Sequence, residues 1–299
     1  MTKVLVLGAT GMLGAMVLDW LRRDAKLEVE ATCRDPVSAN ELRALYPTVA
    51  VRMFDAETEA ALALDSIEWV INAIGVIKPY IRDDNRTDVE RAIRVNALFP
   101  VRLAEEAERC GSCVLQIATD CVYSGRDGLY VESSLHDGTD VYGKSKSLGE
   151  VNSPNVTHLR CSIVGPEVKG HRSLLSWFLR QTPGSTVNGY QNHEWNGVTT
   201  LHFAKACHGI IRTGRALPGV QHVLPENDIA KVDLLRCFAT AFGRRDVVIV
   251  RSDAPVVVDR RLRSSNPSAN EAIWAAAGYD TAPTIEAMVA ELAKYPFRG

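Results

Sequence analysis

Short apolar runs alternate with amphipathic stretches along the first half of the chain. Lys3–Leu7 is apolar on both faces, as in a strand that helices cover on two sides. Met12–Arg23 places Leu13, Met16 and Trp20 on one face at helical spacing. The same alternation predicts strands at Glu28–Cys33, Val49–Phe54, Trp69–Ala73, Ser112–Ala118 and Val156–Ser162, and helices at Ser38–Tyr46, Ala56–Leu64 and Asp88–Arg109. Strands separated by helices, with short connections, predict an α/β fold built on a parallel, doubly wound sheet.

Beyond residue 150 the alternation loosens. Pro183–Thr200 is polar, aromatic and rich in Gly and Asn, unlike a core segment. The remaining pattern predicts helices at Leu174–Arg180, Leu201–Thr213, Asp233–Phe242 and Pro283–Tyr295, and strands at Pro218–Pro225 and Val247–Val250. Because this region is less regular than the first half, we expect a smaller lobe here that covers a cleft in the sheet domain.

Composition excludes several classes of partner. The 299 residues carry a formal net charge of −2 and 46% hydrophobic residues, which is ordinary for a soluble globular protein. The chain has no excess of basic residues that would indicate a nucleic-acid partner. No apolar run approaches the ~20 residues that span a bilayer. Val4–Leu7 leads directly into a glycine motif without a basic lead, so we expect no signal peptide. Seven scattered cysteines are typical of a reducing compartment, and we expect a cytoplasmic protein.

Potential metal ligands are too sparse to predict a metal site. Cys110 and Cys113 form a C-x-x-C pair that has no second ligand pair. His202, Cys207 and His208 lie near one helix, but their spacing does not give a shared face. We therefore expect no bound metal.

A glycine-rich turn connects the first strand to the first helix. Gly8, Gly11 and Gly14 have the spacing G-x-x-G-x-x-G. Missing side chains let backbone N–H groups and the helix N-terminus approach a pyrophosphate. The alternative is a tight turn without a ligand, but the strand–turn–helix context favours a nucleotide site. The residues expected to bind the cofactor here are Gly8, Thr10, Gly11, Met12, Leu13 and Gly14.

Other candidate cofactor ligands follow the later strands. Arg34 and Asp35 end the second strand, roughly where a ribose-binding residue belongs. An acid there would accept the ribose 2′-hydroxyl of NAD, whereas an arginine would pair with the 2′-phosphate of NADP. We favour Arg34 and therefore NADPH, with NADH left open. Asp55 could bind the adenine amino group or cap the next helix, and Ala73 and Gly75 would let the backbone pass close to the ribose.

The stretch 119–146 carries the candidate chemistry. Thr119 follows the fifth strand, and Tyr142 and Lys146 share a helix face at i, i+4. A hydroxyl can hold a carbonyl oxygen, a tyrosine can supply a proton and a lysine can hold that tyrosine ready. Gly8, Arg34, Gly75 and Thr119 all fall at carboxyl ends of strands, where ligands bind in such sheets.

With Gly8–Gly14, Asn96, Thr119 and the Tyr142/Lys146 pair in this order, the chain resembles the extended short-chain dehydrogenase/reductases. Within them it is most similar to the dTDP-4-dehydrorhamnose reductase group. Thr-Asp-x-Val-Tyr at 119–123 and Tyr-Gly-Lys-Ser-Lys-x-x-Gly-Glu at 142–150 carry the resemblance, which is loose in the C-terminal half. It implies an NAD(P)-binding Rossmann domain over residues 1–160, to which later segments return, and mainly a C-terminal substrate-binding lobe over residues 161–299.

The resemblance also implies an oxidoreductase that acts on nucleotide sugars in polysaccharide biosynthesis. Thr119, Tyr142 and Lys146 would be catalytic, Lys146 would also bind the cofactor ribose, and Asn96 would hold a water or the lysine. We expect the Lys146 ammonium to draw the pKa of Tyr142 down from its free value of about 10.

The substrate contacts that the resemblance implies are less well defined. Lys78 and Tyr123 would border the substrate. Trp195 and Asn196 lie in a segment that could replace the C-terminal substrate residues of the family. The partner implied is a nucleotide sugar, and a homodimer is left open.

Cys121 separates the reaction types of this family. Sugar-nucleotide dehydratases carry Glu at this position to move a proton during elimination, and cysteine is a poor substitute. We therefore predict NADPH-dependent reduction of a 4-keto (6-deoxy) sugar nucleotide. The alternatives are an NAD(P)-dependent epimerase, since some epimerases use the same three residues, and a non-catalytic NADP-binding regulatory subunit.

Overall fold

Helices and strands alternate along the part of the chain that the computed structural model describes, which is residues 1–59, 62–214, 217 and 219–298. The strands are β1 (Thr2–Leu7), β2 (Leu27–Cys33), β3 (Ala50–Met53), β4 (Trp69–Asn72), β5 (Cys113–Thr119), β6 (Val156–Cys161), β7 (Ile163–Val164), β8 (Thr186–Tyr190), β9 (His193–Trp195), β10 (Val198–Thr199), β11 (Gly219–His222), β12 (Ile229–Ala230), β13 (Val248–Ser252) and β14 (Val258–Asp259). The helices are α1 (Met12–Leu21), α2 (Pro36–Leu45), α3 (Arg86–Ala92), α4 (Phe99–Cys110), α5 (Val141–Leu148), α6 (Leu174–Leu179), α7 (Thr200–Thr213), α8 (Lys231–Ala241), α9 (Pro267–Ala276) and α10 (Ile285–Lys294). A π-helical segment, Ile93–Leu98, joins α3 to α4, and short 3₁₀ turns lie at Lys78–Tyr80 and Asp120–Val122.

The central sheet has seven strands in the order β11-β6-β5-β4-β1-β2-β3. All neighbouring pairs are parallel. Helices cover both faces, with α1 and α7 over one core and α4 over the other. Because β1 lies between β2 and β4, the winding reverses there and opens a crevice at the carboxyl ends of these strands. The predicted doubly wound sheet of the Rossmann type is confirmed.

Two segments from the second half of the chain complete this layer. Strand β11 pairs with β6 from Gly219 to His222, which confirms the strand expected near residues 218–225, although Pro218 lies outside the described residues. Helix α7 lies against α1, where the indole N–H of Trp20 donates to Nδ1 of His208 at 3.0 Å. A boundary at residue 160 stays a prediction.

The helix predicted over Ala56–Leu64 is wrong for the described part of that stretch. Residues 56–58 form a turn and residues 62–64 form no helix, while residues 60 and 61 lie outside the described residues. Asp55 Oδ1 accepts from the N–H of Glu57 at 2.9 Å, and the carboxylate of Glu59 accepts from the N–H of Asp55 at 2.7 Å. These local bonds close a single turn.

The long helix predicted over Asp88–Arg109 is interrupted before Pro100. The proline lies in the first turn of α4 and has no N–H. The carbonyl of Asn96, four residues earlier, therefore lacks its α-helical donor. The chain there adopts the wider π form over Ile93–Leu98, a geometry that occurs mostly as short insertions in α-helices and often at functional sites.

The smaller lobe contains structure that the sequence pattern did not predict. Pro183–Thr200 was expected to be unlike core, but it contains β8, β9 and β10 and buries Val187, Trp195 and Val198. Helix α9 was not predicted, and its Trp274 is completely buried. Within the described ranges, no helix is both long and apolar enough to cross a membrane.

Candidate active site

The turn between β1 and α1 has the shape that a pyrophosphate needs. Gly8 has a φ of +74°, which favours glycine. A Cβ on Gly14 would lie 2.2 Å from the carbonyl oxygen of Gly8, so only glycine lets α1 begin so close to β1. No side chain caps α1 at Gly11, which leaves the N–H groups of its first turn available for an anion. The turn comprises the predicted ligands Gly8, Thr10, Gly11, Met12, Leu13 and Gly14.

The structure distinguishes Arg34 from Asp35. Asp35 caps α2: its Oδ1 accepts from the N–H of Ser38 at 2.9 Å and its Oδ2 from the hydroxyl of Ser38 at 2.8 Å. These bonds lower the pKa of the Asp35 carboxyl and occupy both of its oxygens. Arg34 is exposed and has no hydrogen bond or ion pair with any described residue. Arg34 is therefore the side chain of this pair that is available to a phosphate.

The other predicted cofactor positions lie along the same edge. Ala73 follows β4 and donates its N–H to the carbonyl of Leu7 at 3.2 Å, so the ends of β1 and β4 are adjacent. Gly75 is exposed, and a Cβ on it would lie 3.4 Å from Oδ1 of Asn96. Asp55 accepts from the N–H of Glu57 within its own turn, and its predicted contact with the adenine amino group stays a prediction.

Thr119, Tyr142 and Lys146 meet where β5 ends and α5 passes over it. The ammonium of Lys146 donates to the carbonyl of Ile117 in β5 at 2.8 Å. The Thr119 hydroxyl accepts from the N–H of Cys121 at 3.2 Å and donates to Asp120 at 3.3 Å. Thr119 and Lys146 are nearly buried, with exposed fractions of 7% and 6%. The structure thus brings together the three residues whose chemistry was predicted from the sequence.

The ionisation of this group differs from our expectation. Burial raises the pKa of the Tyr142 phenol above its usual value of 10, and a hydrogen bond with Thr119 opposes the shift only in part. Burial also lowers the pKa of Lys146 to about 8, against the smaller effect of Glu150. The expected lowering of the Tyr142 pKa by Lys146 is therefore wrong for this structure, because the ammonium bonds to Ile117 and not to the phenol. The phenol stays protonated at neutral pH, which is the form that can donate a proton.

Asn96 does not contact Lys146 among the described hydrogen bonds. Its Oδ1 accepts from the N–H of Val76 at 2.8 Å, and its Nδ2 donates to the carbonyl of Val76 at 2.9 Å. Nδ2 also donates to the hydroxyl of Ser145 in α5 at 3.1 Å. The Asn96 side chain is almost completely buried. It therefore joins the segment after β4 to the helix that carries Tyr142 and Lys146.

Lys78 lies beside α5. Its ammonium pairs with Oδ2 of Asp140 at 2.7 Å, while Oδ1 of Asp140 caps α5 through the N–H of Gly143 at 2.7 Å. The Lys78 side chain is half-exposed. This position borders the crevice, which is compatible with the predicted substrate contact.

Tyr123 does not face the crevice, which corrects its predicted place at the substrate. Its ring is completely buried and stacks on Tyr130 at 4.2 Å between ring centroids. Its hydroxyl donates to the carbonyl of Val131 at 3.0 Å and accepts from Arg160 at 2.6 Å. Arg160 is itself buried and paired with Glu150, at the end of α5. Tyr123 belongs to the support beneath the site.

Trp195 and Asn196 are corrected for the same reason. Both are nearly buried. The indole N–H of Trp195 donates to Ser162 at 2.8 Å. Asn196 bonds both the N–H and the carbonyl of Leu262, at 3.0 and 2.7 Å. These bonds join the strands of the smaller lobe and leave neither side chain free for a substrate.

Two cations near the site were missed by sequence reasoning. Arg260 donates from Nε to the carbonyl of Tyr123 at 2.8 Å. Burial raises the pKa of Asp120, and the charges of Arg260 and Lys231 act against that rise. Lys231 opens α8, and burial lowers its pKa. The only sequence signal was the charged run at residues 259–263, which has no fixed spacing from Thr119.

No group of His, Cys, Asp or Glu side chains in the described ranges is arranged to hold a metal ion. Cys121, whose N–H donates to the Thr119 hydroxyl, has a thiol whose pKa burial raises to about 12. It is therefore a neutral thiol at physiological pH and a poor general base.

A family model described as "RmlD substrate binding domain" matches residues 1–170. The chain is 29% identical over 151 residues to a dTDP-4-dehydrorhamnose reductase of Aggregatibacter actinomycetemcomitans, an alignment that covers 50% of this chain and 46% of that protein. The spore coat polysaccharide biosynthesis protein SpsK of Bacillus subtilis aligns over 50% of this chain and 47% of its own length. The chain thus spans about half the length of these curated relatives.

A longer alignment, at 25% identity, covers 81% of this chain and 74% of the methionine adenosyltransferase 2 subunit beta of Danio rerio. Among solved structures, a dTDP-4-dehydrorhamnose reductase of Bacillus anthracis in complex with NADP superposes with a TM-score of 0.71 over 98% of this chain and 99% of that one, at 16% identity. A UDP-glucuronic acid 4-epimerase of Bacillus cereus in complex with NAD gives a TM-score of 0.72, at 14% identity over 98% of this chain and 96% of that one. At such identities the superpositions establish the fold alone.

Proposed function

This chain belongs to the RmlD substrate binding domain family, and on that premise we propose that it is an NADPH-dependent reductase of 4-keto (6-deoxy) sugar nucleotides. The observation that carries the proposal is the convergence of Thr119, Tyr142 and Lys146 at the end of β5. The glycine-rich turn between β1 and α1, which has room for a dinucleotide, belongs to the same sheet.

The residues of the crevice fit a dinucleotide. The pyrophosphate would lie on the N–H groups at Gly8 and the start of α1, where a Cβ on Gly14 has no room. Arg34, which has no partner among the described residues, would pair with the 2′-phosphate that distinguishes NADP from NAD. NADH remains the alternative cofactor. A bound NADPH supplies the hydride for reduction of the ketone.

Thr119 would stabilise the charge that develops on the substrate oxygen. Its hydroxyl is held from one side by the N–H of Cys121, and its long 3.3 Å bond to Asp120 is readily exchanged for a stronger one to an alkoxide. Donors that are already aimed at a developing charge cost no reorganisation during the reaction.

Tyr142 would protonate that oxygen. Its raised pKa keeps the phenol protonated, which suits the reductive direction, in which a proton is given to the alkoxide. Lys146 is tied to β5 and would position α5 and the cofactor ribose. Burial lowers its pKa to about 8, closer to neutral pH than that of a free lysine.

Cys121 favours reduction over elimination. A dehydratase of this family needs an acid–base group beyond the tyrosine, and a thiol with a pKa of about 12 does not provide one.

The cations Lys78, Lys231 and Arg260 border Asp120 and α5 and would balance the diphosphate of a nucleotide sugar.

The proposal is tested by NADPH oxidation, followed at its absorbance, against a panel of 4-keto sugar nucleotides that differ in base and sugar. We expect turnover with at least one of them. The Tyr142→Phe variant should lose about 10²–10⁴-fold in kcat while it still binds NADPH. A protein that binds NADPH but reduces no member of the panel would refute the assignment, and interconversion of two sugar epimers without net NADPH oxidation would establish the epimerase alternative.

A second candidate is a non-catalytic NADP-binding subunit. The observation in its favour is the alignment with the methionine adenosyltransferase subunit, which extends over more of the chain than the reductase alignments. Stable co-purification with a synthetase from cell extract, together with wild-type and Tyr142→Phe proteins that are equally inactive as reductases, would favour it.

A further inference from the structure

The loop of residues 165–173, which we call the strap, follows β7 and is fastened at its base. The carboxylate of Glu167 accepts from the N–H of Ser173 at 2.7 Å, and the Ser173 hydroxyl donates to the carbonyl of Gly165 at 3.1 Å. At its tip, Gly170 and His171 have positive φ values of +91° and +52°. The base bonds and the left-handed backbone at the tip fix the path of the strap.

The strap reaches across the carboxyl edge of the central sheet. On one side, the guanidinium of Arg172 donates to the carbonyl of Pro79 at 2.9 Å and lies 4.6 Å from the ring centroid of Tyr80, in the turn that follows β4. On the other side, Lys169 contacts α2, which follows β2. The strap therefore spans the crevice where the ends of β1, β2 and β4 meet.

Lys169 ends at the corner where the ribose phosphate of NADP would lie. Its ammonium is 2.8 Å from the carboxylate of Glu41 and 3.4 Å from the hydroxyl of Ser38. Ser38 donates to both carboxylate oxygens of Asp35, and Asp35 directly follows Arg34 in the chain. Lys169 and Ser38 also line a cavity of about 290 Å³ that reaches Ala9 and Thr10 in the glycine turn.

We propose that Lys169 is a second cation for the 2′-phosphate of NADP and sets cofactor preference together with Arg34. The proposal rests on the proposed use of NADPH. On binding, the ammonium of Lys169 exchanges the Glu41 carboxylate for the phosphate oxygens, and the Ser38 hydroxyl remains beside it.

The existing ion pair is weak enough for this exchange. The side chains of Lys169 and Glu41 are 54% and 57% exposed, and exposed pairs of this kind contribute about 0–1 kcal/mol. A phosphate dianion carries more charge and offers several acceptor oxygens, so it competes well for the ammonium. Both oxygens of Asp35 already accept a hydrogen bond from Ser38, so Asp35 is less available than Arg34 to a ribose ligand.

The test uses two probes that differ only in the phosphate, 2′,5′-ADP and 5′-AMP, with calorimetric titration of the full chain. We expect Lys169→Ala to weaken 2′,5′-ADP about tenfold, a loss of about 1.4 kcal/mol, and to change 5′-AMP less than about twofold. Glu41→Gln should tighten 2′,5′-ADP because it frees the ammonium. Arg298→Ala is the matched control, since Arg298 lines the same cavity beside Tyr46, at the other end of α2, and should change neither probe.

Unchanged affinity of Lys169→Ala for 2′,5′-ADP, or an equal loss for both probes, would overturn the proposal, as would a wild-type protein that does not distinguish the probes. The readout is binding, so it is independent of the reductase assignment. Failure of every sugar nucleotide to react, with the expected probe pattern intact, would refute the reductase and leave the role of Lys169 standing.

Discussion

Asn96 holds both polar backbone atoms of Val76, with its Oδ1 2.8 Å from the N–H and its Nδ2 2.9 Å from the carbonyl. The side chain thus satisfies the backbone N–H and carbonyl of Val76, in the segment that follows β4, as a neighbouring strand would. Since the same Nδ2 reaches Ser145, the position of α5 depends on the position of Val76. The π segment that contains Asn96 is therefore part of the support of the active site and not an irregularity of a long helix.

We expect Asn96→Ala to destabilise the protein by about 2–4 kcal/mol, because it leaves two buried backbone groups of Val76 without partners. Urea unfolding measures the loss. Asn192→Ala is the matched control: Asn192 bonds both backbone atoms of Ala254, at 2.8 and 2.9 Å, but water can reach it. A loss for Asn96→Ala no larger than that for Asn192→Ala would contradict the role of burial.

For Thr119 we expect the hydroxyl to matter and the methyl group not to. In the proposed mechanism Thr119→Val removes the donor to the substrate oxygen, and it should lower kcat by about 10²–10³-fold. Thr119→Ser keeps the hydroxyl and should remain within about tenfold of the wild type. Steady-state kinetics on the preferred keto sugar separates the two variants. Equal activity of the valine and serine variants would show that Thr119 gives no hydrogen bond in the transition state.

Lys146 should make stability depend on pH in the alkaline range. Its pKa is lowered by burial from 10.5 to about 8 in the folded chain, so between these values the unfolded chain binds more protons. Stability conferred by this position is therefore lowest below pH 8 and rises as the pH increases toward 10.5, by about 3 kcal/mol in total.

The measurement is the free energy of unfolding of the wild type relative to Lys146→Met, taken at several values between pH 7 and 10.5. The difference should increase in favour of the wild type. Lys144→Met, at an exposed position of the same helix, is the control and should give a flat difference. A difference that is also flat for Lys146→Met would mean that the ammonium is not destabilised by burial.

Arg160 should contribute strongly to the free energy of unfolding only while its ion-pair partner Glu150 is present. It is buried, pairs with Glu150 and donates to Nε2 of His136 and of His222 at 2.9 and 3.0 Å. Arg160→Met leaves a buried carboxylate unpaired and should cost about 3–5 kcal/mol in the free energy of unfolding. The double variant Arg160→Met with Glu150→Met should recover a large part of that loss. A loss in the double variant that equals the sum of the losses in the two single variants would argue against a coupled pair.

The sequence predicted what depends on local pattern and spacing. The glycine turn and the Tyr142–Lys146 face follow from adjacent residues, and strand ends of one parallel sheet share an edge, which places Thr119 beside them. The errors concern contacts between distant segments. Trp195 and Asn196 were predicted to contact a substrate, but their polar groups bond to Ser162 and Leu262, which lie far away in the sequence. Arg260 reaches the site only because β14 joins the smaller lobe, a pairing that no local pattern encodes.

The same limit applies to Tyr142. Its neighbour at i, i+4 suggested a lowered pKa, but the lysine turned out to bond with β5, and burial decides the direction. Desolvation depends on everything that surrounds a group, so sequence spacing cannot give its sign.

The seventh strand has a consequence for how the protein is made. Until β11 leaves the ribosome, β6 has an open edge and Arg160 lacks its neighbour His222, although every residue matched by the family model, through residue 170, has by then been synthesised. Helix α7, which covers α1, is also still missing at that point. The nascent N-terminal half therefore has an unpaired strand and an uncovered apolar face until the later segments are synthesised, and such surfaces are the ones that favour association with other molecules.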